Sequence, residues 1–65
     1  MRSNETVTSL RRVATLQAAA STDAALQQIL EVSKKAHGQA TGDEQADLAV
    51  VVDVFRAEVG RRASA

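Results

Sequence analysis

The stretch from Ala46 to Val59 has the length and period of one helix but carries two apolar faces, and this constrains the fold most. At about 100° per residue, Leu48, Val51, Val52, Phe55 and Val59 gather on one side. Ala46, Val50, Val54 and Ala57 gather on another, with Asp47 and Glu58 between the two. A helix on the outside of a small bundle needs only one apolar stripe. A second stripe demands a second covering surface, and a chain of 65 residues has little left to supply it. The second stripe is therefore expected to meet either the first helix or another chain.

Size sharpens that expectation. A domain this small buries a low fraction of its surface and usually leans on disulfides, a metal or a partner. The chain has no cysteine and a single histidine, His37, so a disulfide framework is excluded and a structural zinc site is not expected. Oligomerisation is the remedy left open, with a homodimer favoured.

The chain reads as all-α: a small three-helix unit or a helical hairpin, completed by association. It has no proline, and its three glycines, Gly38, Gly42 and Gly60, fall where apolar periodicity stops or starts. The run Val50-Val51-Val52 resembles a buried strand in isolation, but its flanks keep helical period in both directions. Helices are expected over about residues 5–20, 22–37 and 42–59 of one domain spanning 1–65, with 1–4 and 60–65 as flexible ends.

The first helix starts from Ser3 or Asn4 as N-cap and shows a broad apolar face of Val7, Leu10, Val13, Ala14 and Leu16. Ser21-Thr22-Asp23 then offers three N-cap residues in a row. A helix carried through them would present its two halves about 120° apart, so a turn there is preferred to one long helix. In the second helix Ala25, Leu26, Ile29, Leu30, Val32 and Ala36 share an arc, and Gly38 is expected to end it in the left-handed conformation. Thr41-Gly42-Asp43-Glu44 has the form of a capping box for the third helix, which Gly60 is expected to stop. Leu48, Val52, Phe55 and Val59, spaced four, three and four, form a seam for helix packing. With Leu26, Ile29 and Leu30 they make the candidate core, and Ala46, Val50, Val54 and Ala57 the candidate interface.

Sites for chemistry are weak by comparison. Ser33 and His37 share a helix face, but a nucleophilic triad also needs an oxyanion hole and a pocket. Asp43, Glu44 and Asp47 lack the spacing of a calcium loop and are ordinary first-turn acids. No catalytic residue, cofactor, metal or small-molecule substrate is expected. Formal charge is zero and no apolar run reaches the ~20 residues of a membrane span. No secretory leader is expected, which makes the cytoplasm the default compartment. These features favour a non-enzymatic helical protein–protein interaction module: an adaptor, inhibitor, small chaperone or assembly factor. The competing expectation is a small dimeric nucleic-acid-associated regulator using Arg11, Arg12, Lys34 and Lys35. Against it, Asp43, Glu44 and Asp47 open the would-be recognition helix and repel phosphates.

Overall fold

The computed structural model describes residues 4–64 and is a three-helix, all-α unit. Helix α1 spans Asn4–Ala20, α2 spans Asp23–Gln39 and α3 spans Gly42–Ser64. The expected break between the first two helices is present. The Ser21 N–H donates to the Ala18 carbonyl (3.2 Å), closing α1. Thr22 is extended (φ −69°, ψ 163°), and its hydroxyl accepts from the Ala25 N–H at 3.1 Å, the geometry of an N-cap. The expected cap at Ser3 lies outside the described residues, and Asn4 is already helical.

Two glycines do not act as expected. Gly38 lies inside α2, which continues to Gln39, and the Ala40 N–H donates to the Ala36 and His37 carbonyls at 3.0 and 3.4 Å. The left-handed residue falls instead at Gly42, with φ 63°. The chain reverses one step later, after an extended Ala40 (φ −88°, ψ 160°), and needs its glycine there. The capping box is not formed: no side-chain hydrogen bond joins Thr41 and Glu44 among the described residues, and α3 opens on the Gln45 N–H to Thr41 carbonyl bond (3.4 Å).

Gly60 likewise does not stop α3, which runs on to Ser64. A helical glycine costs about 1 kcal/mol relative to alanine. The last turn offsets that cost through Arg61 and Arg62, both bonded to Glu58 one turn back. Residues 60–64, expected as part of a flexible end, are therefore helical and tied down; Ala65 lies outside the described residues.

Helix α3 is the centre of the molecule. It packs against both α1 and α2, which scarcely touch each other. Arg11 meets Asp53 and Ala18 meets Arg62, so α1 runs parallel to α3. Asp23 and Leu26, at the start of α2, lie beside Arg62 and Val59 near the end of α3, so α2 runs antiparallel to it. The core is Ala14 and Ala18 of α1, Leu26 and Leu30 of α2, and Val54 and Phe55 of α3, with Ile29, Val50, Val51, Val52 and Val59 packed around it. The Cα envelope measures 36 × 25 × 16 Å, a slab one to two helices thick.

Candidate interaction site

The two stripes of α3 have separate fates. The Leu48/Val52/Phe55/Val59 seam faces α2: Phe55 and Leu26 are both only 1% exposed, and Leu30 is buried with them. Leu48, Val52, Val59 and Ile29 are half-buried around that contact. The second stripe is met within the chain by α1. Val54 is buried, Val50 packs against the core, and Val54 and Ala57 share a recess with Arg11, Thr15 and Ala18 of α1. Ala46 and Ala57 are exposed at its edge. Val54, expected at an interface, thus lies in the subunit's own core.

An ionic cluster stands where the three helices converge. The Arg62 guanidinium donates to Glu58 and to Asp23, both at 2.7 Å, and to the Ala18 carbonyl at 3.0 Å. It therefore closes the C-terminus of α1, where free carbonyls and the helix dipole favour a cation, and holds the first residue of α2. Arg61 reaches the same Glu58 through two bonds, at 2.9 and 2.7 Å. Hydrogen bonds from Arg61 and then Arg62 lower the Glu58 carboxyl to about pKa 2. Both guanidinium groups are raised in turn, chiefly by their bonds to Glu58. The sequence carried a signal for this cluster, a glutamate followed by arginines three and four residues on, but both arginines fell in the segment read as a loose tail.

The candidates for chemistry are not drawn together. Ser33 is buried and His37 half-buried on α2, with no hydrogen bond joining them. No group of three or more potential metal ligands occurs among the described residues. Two shallow recesses, of about 220 and 230 Å³, flank α3; ligand pockets ordinarily exceed about 300 Å³. Among the basic pairs, Arg11 is engaged by Asp53 at 2.9 Å and Lys34 by Glu31 at 3.6 Å, whereas Arg12 and Lys35 are exposed. No helix among the described residues is long and apolar enough to cross a membrane.

What remains conspicuous is apolar surface. Val13, Leu16 and Val32 are 61%, 66% and 62% exposed. Of the broad face expected on α1, only Ala14 is buried, together with Ala18, which that face did not include, while Val13 and Leu16 face outward. The arc expected on α2 is split the same way, with Leu26 and Leu30 inward beside Ser33, which lay outside that arc, and Val32 outward. No protein-family model, curated protein or solved structure detectably matches the chain.

Proposed function

We propose that this chain is a non-enzymatic helical interaction module, which presents an apolar surface built by α1 and α2 to another polypeptide. The observation that carries this is the exposure of Val13, Leu16 and Val32 in a unit whose third helix is already packed on both sides, by α1 and by α2. Single exposed apolar residues are ordinary on soluble proteins, but Val13 and Leu16, three residues apart on α1, are neighbours on its outer surface, and contiguous exposed apolar surface marks association sites. The electrostatics lean the same way. The chain has no net charge, and four of its eight basic side chains, Arg11, Lys34, Arg61 and Arg62, are paired with carboxylates, which weakens the field available to phosphates.

The test is site-specific photo-crosslinking in cells, with a photoreactive residue at position 13 or 32 and a control at the exposed Arg56. Discrete adducts with polypeptide at 13 and 32 but not at 56 are the expected result. Equal or absent adducts at all three positions would sink the proposal.

A further inference from the structure

We infer that α1 is a lid on α3: it opens and closes as one piece about a hinge at Ser21–Thr22, while α2 and α3 stay paired beneath it. The two joints of α3 are built from different side chains. Against α2, α3 buries Phe55, and α2 contributes Leu26 and Leu30; Phe55 and Leu26 are the largest fully buried side chains of the described residues. Against α1, α3 meets Ala14 and Ala18, the only buried residues of that helix, and each puts a single methyl group into the contact. Apolar burial stabilises in proportion to the area removed from water, so the α1 joint is the weaker of the two. It is also incompletely filled: a recess of about 220 Å³ opens between the helices beside Thr15, Ala18 and Val54.

Polar contacts distinguish the two ends of the lid. Toward its N-terminal end the Arg11 guanidinium meets Asp53 at 2.9 Å, with side chains 49% and 67% exposed. An ion pair so open to water is worth little. The Thr15 hydroxyl donates back to the Arg11 carbonyl at 2.7 Å and adds nothing across the joint. At the other end, beside the turn, Arg62 holds the Ala18 and Ala19 carbonyls at 3.0 and 3.3 Å. The Arg11 end is therefore a weak latch and the Arg62 end a pivot. Helix α2 does not depend on α1 at this pivot. Thr22 caps it through the Ala25 N–H at 3.1 Å, and the Leu26 N–H donates to the Thr22 carbonyl at 2.8 Å. Since α1 and α2 scarcely touch, swinging α1 away breaks one joint of α3 and leaves the other whole. It uncovers the Val54 side of α3. A helix of 17 residues with nothing to pack against is marginal in water, so α1 loses its backbone hydrogen bonds when it opens.

Hydrogen exchange of the backbone amides of the full chain, followed residue by residue by NMR in the regime that reports opening equilibria, tests the lid. Amides from Ser9 to Ala18 should share one opening and exchange at least about ten-fold faster than those of Leu30 and Phe55. The discriminating variant is Leu30→Val, which lies in the α2–α3 packing. Loss of one buried methylene there should speed the slowest amides of α2 and α3 about four-fold and leave the α1 rates unchanged. If Leu30→Val is too unstable to study, Ile29→Val, a gentler change on the same helix, should give the same pattern. Equal protection of α1 and α3 would overturn the inference, as would α1 amides that speed up together with those of α2 in the variant; either result means that the three helices open only together. A gradient running inward from the first turn, with the Ala14 and Ala18 amides as slow as those of α3, would overturn it too, because that is fraying of an end rather than movement as one piece.

Discussion

Arg62 ties all three helices together. One guanidinium joins the carbonyl end of α1, the first residue of α2 and Glu58 of α3. Glu58 is the shared acceptor, and its protonation is where acid should first tell. Its carboxyl titrates at about 2 in the folded chain against an ordinary 4.5, so between those values the unfolded chain binds the extra proton. The stabilisation is complete above about pH 4.5 and disappears as pH falls toward 2. Thermal melts from pH 6 down to 2.5 should show the wild type losing melting temperature below pH 4.5 more steeply than Glu58→Gln. Parallel curves for the two would mean that the cluster is not formed in solution. Little of this was legible beforehand. A local i, i+4 pair can be read from spacing, but the tertiary partners of Arg62 at Ala18 and Asp23 lie 44 and 39 residues away, and no local pattern encodes them.

At the scale of elements, the number and type of helices follow from periodicity, and so does the turn at Ser21–Thr22, because it changes the phase of the apolar face. Helix ends were less legible because glycine is ambiguous: it tolerates left-handed backbone but does not require it. Gly42 has φ 63°, whereas Gly60 is helical and a methyl group added to it would meet open space. Gly60→Ala should therefore stabilise the protein by about 0.5–1 kcal/mol, and Gly42→Ala should destabilise it by about 1–2 kcal/mol. Urea titrations of the two variants check both signs at once. The inner face of α1 was hidden for another reason. Ala14 and Ala18 rank below Val13 and Leu16 in hydrophobicity, so composition favours the larger pair for the core. Packing favours the smaller pair, because alanines let the backbone of α1 come close to α3, while Val13 and Leu16 stay outside.

For the whole molecule, the two-striped third helix identified the centre of the fold, and the first helix proved to be one of its coverings. The stability of the unit is thereby concentrated in α3. A peptide of residues 1–41 retains the α1–α2 turn but almost no contact between its two helices. It should show little helical circular dichroism on its own, since isolated helices of 17 residues are marginal in water. Adding a peptide of residues 42–65 should restore the signal, and strong helicity in 1–41 alone would contradict the central role of α3. There is a consequence for the order of events during synthesis. A ribosome delivers α1 and α2 first, and neither has anything to fold against until α3 has cleared the exit tunnel. The nascent chain therefore carries the apolar residues of α1 and α2 unburied until α3 is available, and only then can both helices find their packing surface.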